Sequence, residues 1–213
     1  MPNWCNNNVT ISHNDTAKLE ALAQAAREGK FCHHVIPTPE DLNITAGYLG
    51  DEEAQKELER KTAENREKYG YGNWYDFQSG RWGTKWDVEP YDPNEVKVEN
   101  NTISFGFDSA WAPPIGVYEE LVEQGFEVVA YYYEPGMCYV GKWDNGDDEC
   151  YEYGGETSKT VVNAIGQELD DMFGISESMA EYEEDEEVDE LEEFLEEGAE
   201  AKGLAKPGPI KFD

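Results

Sequence analysis

The stretch Thr102–Asp108 constrains the fold more than any other, because apolar and polar side chains alternate through it without a break. Ile103, Phe105 and Phe107 fall at every second residue. A strand satisfies that period and a helix does not, so one face of this strand must be covered. Glu95–Glu99 reads as a partner strand, with Asn100-Asn101 as the tight hairpin turn between them. Pro113-Pro114 then opens a helix in which Ile115, Tyr118, Leu121 and Val122 share one side, and Gly125 closes it. Glu127–Glu134 follows as a strong strand.

Upstream, Asn7–Ser12 reads as a strand with Val9 and Ile11 on one face. Asn14 or Asp15 caps a helix whose stripe is Leu19, Leu22, Ala23 and Ala26, and Gly29 ends it. Phe31–Ile36 reads as extended, stopped by Pro37 and Pro39. Asp51–Lys68 reads as an exposed helix held by the i,i+4 pairs Glu52/Lys56, Glu57/Lys61 and Glu64/Lys68. Tyr71–Tyr91 is rich in glycine, proline and rings and reads as loop. The order is β-α-β-β-α-β, which predicts an α+β fold of the ferredoxin-like split β-α-β kind. A long insertion, about residues 37–94, follows the first helix.

Two further pieces are appended. Cys138–Trp143 and Cys150–Tyr153 form a hairpin around Asp144-Asn145-Gly146-Asp147, and Ser158 caps a last helix with Val162, Ile165, Leu169, Met172 and Phe173 inside. Only 38% of the side chains are hydrophobic but 13% are aromatic, so few, large rings carry the core. The domain spans residues 1–175, and residues 176–213 form an acidic tail. Glu181–Glu200 holds 13 acids and no Lys or Arg. Like-charge repulsion predicts that it is disordered when free, although Val188, Leu191, Phe194 and Leu195 keep helical spacing.

Charge decides which partners are open to such a chain. There are 48 acids against 16 Lys and Arg, a formal net charge of −32. The tail is not its sole source, since residues 1–180 alone carry 34 acids and 13 bases. Residues 87–156 hold 17 acids against Lys97 and Lys142, while the bases gather between Lys56 and Lys85. Such a field repels nucleic acid and anionic membranes and attracts basic protein surfaces. Carboxylates spread over a rigid surface can also imitate the phosphates of duplex DNA, roughly one charge per 1.7 Å. The same charge serves solubility alone if no partner reads it.

Motifs for chemistry are sparse. Cys5, Cys32, Cys138 and Cys150 contain no CxxC pair and fit no zinc spacing. His13, His33 and His34 cannot build an HExxH or a facial triad. Asp144–Glu149 resembles a calcium loop only in composition. No P-loop, GxGxxG or GxSxG is present. No catalytic residue, metal site or cofactor is therefore assigned, and an enzyme is the less favoured class. Reduced thiols, the lack of a signal-like start and the lack of an apolar span point to a cytoplasm and away from a membrane.

One run stands out. Trp82-Gly83-Thr84-Lys85-Trp86-Asp87 places Lys85 between two tryptophans, suited to a cation–π contact. With Asp108 and Trp111 it makes a candidate aromatic and ligand cluster of Trp82, Lys85, Trp86, Asp87, Asp108 and Trp111. The bland alternative is that these rings pin the insertion to the sheet.

Several segments together resemble one family: Met1-Pro2-Asn3-Trp4-Cys5-Asn6-Asn7, Val35-Ile36-Pro37-Thr38-Pro39, Asn73-Trp74-Tyr75-Asp76, Trp82–Asp87, Phe107–Pro114 and Tyr133-Glu134-Pro135-Gly136. In this order they are similar to the YubB-type ferredoxin-like proteins of phages, prophages and conjugative plasmids, over roughly residues 1–175. The resemblance implies a mobile-element protein in a host cell's cytoplasm and brings no catalytic residues with it. The expectation is a non-enzymatic, anti-defence kind of host-interaction protein, a DNA mimic that occupies the basic site of a nucleic-acid-binding host or phage protein. Its predicted contacts are Glu119, Glu120, Glu123 and Glu127, with Glu183, Glu184, Asp185, Glu186 and Glu187 in the tail. A single-strand nucleic-acid binder with an acidic regulatory tail is the first alternative. A small enzyme or ligand-binding protein using the Trp/Lys/Asp cluster is the second. The oligomeric state is left open.

Overall fold

The computed structural model describes residues 3–186 and residue 188. The chain divides into two compact units, Met1–Glu152 and Tyr153–Asp213. Among the described residues, no helix is long and apolar enough to cross a membrane.

The first unit is α+β, built on a five-stranded antiparallel sheet. Its strands are β1 (Trp4–Ser12), β2 (Thr102–Ala110), β3 (Glu127–Glu134), β4 (Tyr139–Asp144) and β5 (Asp147–Glu152), in the spatial order β2-β1-β3-β4-β5. β1 is antiparallel to both neighbours, so β2 and β3 run parallel to each other on either side of it. The helix between them, α5 (Ile115–Glu123), crosses one face. That face buries Val9 and Ile11 of β1, Ile103, Phe105 and Phe107 of β2, and Val128, Ala130 and Tyr132 of β3. Leu19 and Leu22 of α1 (Thr16–Arg27) and Val117, Tyr118 and Leu121 of α5 complete the same core. The alternation in β2 and the two helical stripes thus meet where their periods require.

α1 starts at Asp15, whose carboxylate accepts the Ala17 N–H at 2.9 Å. The insertion carries a 3-10 turn at Glu40–Leu42, then α3 (Glu52–Tyr69), capped by Asp51 through the Ala54 N–H at 2.8 Å.

Three local expectations in the first unit are corrected. Phe31–Val35 is a helix, α2, and not an extended segment. Its cap comes from far along the chain, since the Asp87 carboxylate accepts the N–H groups of Cys32 at 2.8 Å and His33 at 2.9 Å. The segment Tyr71–Tyr91, which reads as loop, contains α4 (Trp74–Arg81), started by Asn73, which accepts the Asp76 N–H at 3.0 Å. Glu95–Glu99 is not a strand. Glu99 alone bridges Thr102, with two bonds of 2.9 Å across the turn formed by Asn100 and Asn101 at φ 50 and 62. The rest of that segment bonds elsewhere. Glu95 donates to the Asp92 carbonyl at 3.1 Å, and the Val96 carbonyl accepts from Arg27 Nε at 2.8 Å. The outer edge of β2 is covered instead at Pro90, which bridges Phe107, and at Tyr91, which donates to the Gly106 carbonyl at 2.9 Å. β5 forms the opposite edge of the sheet.

In the second unit the expected last helix is interrupted at Gly166, φ 86, giving α6 (Val161–Ile165) and α7 (Gln167–Phe173). Val161, Ile165 and Leu169 are buried, while Met172 is 42% exposed and leaves the predicted inner face. Residues 175–186 are helical. Ser158 does not cap α6; its N–H and hydroxyl donate to Glu183 at 2.8 and 2.6 Å.

Candidate functional site

The end of β2 and the start of β1 meet at one corner of the first unit, where Trp4 pairs with Ala110. The next residue, Trp111, has φ 71, a left-handed value that costs a bulky residue roughly 1–3 kcal/mol. Two hydrogen bonds hold it there. Its N–H donates to the Asn3 carbonyl at 2.9 Å, and its carbonyl accepts from the Tyr139 hydroxyl at 2.7 Å. The loop after α4 is clamped to the same corner by Thr84, whose hydroxyl donates to the Ala110 carbonyl and accepts the Ala110 N–H, both at 3.0 Å. The loop can approach because residue 116 is glycine. A Cβ there would stand 2.1 Å from the Arg81 carbonyl oxygen.

This clamp brings Lys85 among rings. Its Nζ lies 4.3 Å from the ring centroid of Trp86, 5.3 Å from Trp111 and 5.7 Å from Tyr75, all within cation–π range. Trp4 adds a fourth ring, 6.0 Å from Trp86, and Tyr75 meets Trp111 edge-on at 6.2 Å. Trp4, Trp86 and Trp111 stay 47%, 38% and 41% exposed, so this is an open aromatic surface around a half-buried lysine and not part of the core.

Of the predicted cluster, the structure thus brings together Lys85, Trp86 and Trp111. It places the other three apart. Trp82 is buried, with its indole N–H donating to the Ile36 carbonyl at 2.9 Å. Asp87 caps α2, and burial raises its pKa above the ordinary Asp value. Asp108 accepts from Asn6 Nδ2 at 2.6 Å and from the Tyr91 hydroxyl at 2.7 Å. The strand-end carboxylate Glu134 is also buried, accepting the N–H groups of Gly136 at 3.1 Å and Met137 at 2.5 Å. Each carboxylate is committed to its own turn, helix end or strand pair, and none forms an acid/base pair with Lys85. Tyr75 and Trp4 are the members that the sequence reading left out of the cluster. Trp143 packs on Tyr118 in the core.

Nucleophile and metal chemistry fare no better. Burial pushes the Cys5 thiol up to about 12 and holds Cys32 well above the ordinary thiol range, so neither is a thiolate near neutral pH. Among the described residues, no three His, Cys, Asp or Glu side chains are grouped to hold a metal ion.

Four of the acidic candidates stand on α5 and β3. Glu119, Glu123 and Glu127 are exposed on α5 and at the start of β3, while Glu120 meets Arg81 at 3.8 Å. The β4–β5 hairpin adds Asp144, Asp147, Asp148, Glu149 and Glu152. The remaining ion pairs among the described residues engage Lys30, Arg60, Lys61 and Lys68. Glu183, Glu184, Asp185 and Glu186 fall in the helical residues 175–186, and Glu187 lies outside the described residues.

No family model matches the chain, and no curated protein matches it. Among solved structures it is similar to the crystal structure of the protein api92 from Yersinia pseudotuberculosis, assigned to the DUF1281 family model, at 12% identity and a TM-score of 0.35. The match covers 73% of this chain and 99% of that one.

Proposed function

We propose that this chain is a non-enzymatic acidic interaction protein of a phage or mobile element, acting in a host cytoplasm on the basic site of a nucleic-acid-binding protein. One observation carries the reading. Glu119, Glu123, Glu127, Asp144, Asp147, Asp148, Glu149 and Glu152 stand on regular structure with no cationic partner within 4.0 Å among the described residues. Carboxylates fixed in place lose little freedom on meeting a basic groove, and their field speeds encounter. The YubB-type resemblance and the ferredoxin-like class belong to the same proposal. The β2–α5–β3 crossover with β1 between its strands supports the latter.

The test is capture from host lysate by the full chain at low and high salt. A basic nucleic-acid-binding protein held at ~50 mM salt and released at ~500 mM is expected, since screening shortens the Debye length to a few ångströms. Capture that is indifferent to salt refutes the reading.

A second reading is favoured by the strain at Trp111. The open rings of Trp4, Trp86 and Trp111 around Lys85 suit stacking on bases with an ammonium for phosphate, which is single-strand nucleic-acid binding. The charge of residues 1–180 opposes it. A labelled oligonucleotide that binds the chain at low salt, and loses binding with Trp86→Ala, would put this reading first.

A further inference from the structure

The two edges of the sheet are treated differently. β2 is covered by the chain's own Pro90, Tyr91 and Glu99. β5 is bare: all six of its residues are exposed, and among the described residues only β4 pairs with it. Asp144 and Asp147 flank the two-residue turn Asn145-Gly146, which has φ 51 and 109. In such a hairpin the closing pair is hydrogen-bonded and the pattern alternates. Asp147, Glu149 and Tyr151 therefore turn their backbone groups toward β4. Asp148, Cys150 and Glu152 turn theirs outward, forming a row of donors and acceptors that are unpaired among the described residues and able to template another strand.

The side chains decide which strand that is. Asp147, Asp148, Glu149 and Glu152 are acidic, and β5 contains no Lys or Arg. A second copy of β5 would set like charges opposite each other, which is destabilising. The edge is thus closed to self-pairing and to acidic strands, while a strand carrying Lys or Arg gains both the backbone ladder and opposite charge.

We propose that β5 is a strand-addition site, and that an extended Lys/Arg-bearing segment of the basic partner docks there as a sixth strand. The inference rests on the acidic-interaction reading and supplies its binding mode, in which main-chain hydrogen bonds give affinity and alternate side chains give selectivity.

The probe is a labelled, acetylated heptapeptide alternating Lys and Val, titrated into the full chain at low salt and followed by fluorescence anisotropy. Its control carries the same charges but has N-methyl groups on every second backbone nitrogen, on the ladder-forming side. Strand addition predicts a roughly tenfold or greater loss of affinity for the N-methylated peptide, the scale of a few lost net hydrogen bonds. A similar loss is expected for the parent peptide on Cys150→Pro, which removes one outward N–H at an edge that tolerates proline. Equal binding of the two peptides overturns strand addition and leaves the acidic-interaction reading standing. Binding of neither peptide, alongside salt-sensitive capture of a basic protein, also overturns the proposal for β5 alone. The peptide contrast is made on the unmodified chain, so it decides the matter even if Cys150→Pro fails to fold.

Discussion

The Tyr132 hydroxyl donates to Asp148 Oδ1 over 2.5 Å, and so ties β3 to β5 across the intervening β4. The ring can make this reach because β4 has glycine beneath it. A Cβ at residue 141 would stand 2.3 Å from Tyr132 Cζ and 2.6 Å from the Glu149 carbonyl oxygen. Burial, and then the hydrogen bond to Asp148, hold the Tyr132 pKa well above the ordinary phenol value, so the hydroxyl keeps its proton and remains a donor. Tyr132→Phe retains the ring and deletes the donor. It should cost about 1.5–3 kcal/mol, the range for a hydrogen bond to a charged group. In hydrogen exchange the loosening should concentrate in β4 and β5. A loss spread evenly over all five strands would show that the bond does not secure the edge.

Asp87 does for α2 what a local cap does elsewhere, accepting the N–H groups of Cys32 and His33 as well as that of Val88 at 3.0 Å. Asp87→Ala leaves these donors without their acceptor, and a loss of roughly 1–3 kcal/mol is expected in denaturant unfolding. The pH dependence has a defined sign. Burial raises the native pKa, so the folded state holds this proton more tightly than the unfolded chain does. The contribution is full below the ordinary Asp value of 3.8 and is lost as pH rises through the elevated native value. Asp87→Asn should flatten stability against pH in the window opening just above 3.8. Parallel wild-type and mutant curves there would remove Asp87 from that titration.

These two residues mark what the sequence could and could not disclose. The β1, β2 and β3 strands and the α1 and α5 helices follow from periods written within a few residues, such as Ile103, Phe105 and Phe107. Helix α2 was hidden because its cap sits at Asp87, on another loop. Val96 and Val98 imitate a strand, yet Arg27 and Asp92 take up the backbone groups a strand would use. The site was half legible for the same reason. Lys85 and Trp86 are neighbours in the chain, so their contact needs no fold. Trp4 joins them only because β1 lies against β2, and Asp87 and Asp108 look like free carboxylates until their partners are known.

The four cysteines are free and differ in burial: Cys5 and Cys32 are buried, Cys138 is intermediate and Cys150 is exposed. Desolvation opposes thiolate formation at the two buried sites. A chromogenic disulfide reagent at pH 8 should therefore label Cys150 first and Cys138 more slowly, while Cys5 and Cys32 react only in denaturant. Mass mapping of the labelled peptides reads the order directly. Prompt labelling of Cys32 in the native chain would make it a candidate nucleophile and count against the packing of α2.

Helix α5 shows a cost that function would explain. Glu119, Glu120 and Glu123 lie toward its C-terminal end, which has no basic residue in its last turn. The helix dipole is negative there, and each misplaced charge is worth about 0.3–1 kcal/mol against the helix. Glu123 is exposed and has no ion pair among the described residues. Glu123→Lys should therefore raise stability by about 0.5–1 kcal/mol, read as a higher denaturant midpoint at unchanged slope. If the acidic surface is a binding surface, the same substitution should weaken capture of the basic partner at low salt, with the difference fading as salt rises. Stability and binding then move in opposite directions in one variant. A gain in stability with full retention of the partner would leave the charge on α5 without a binding role.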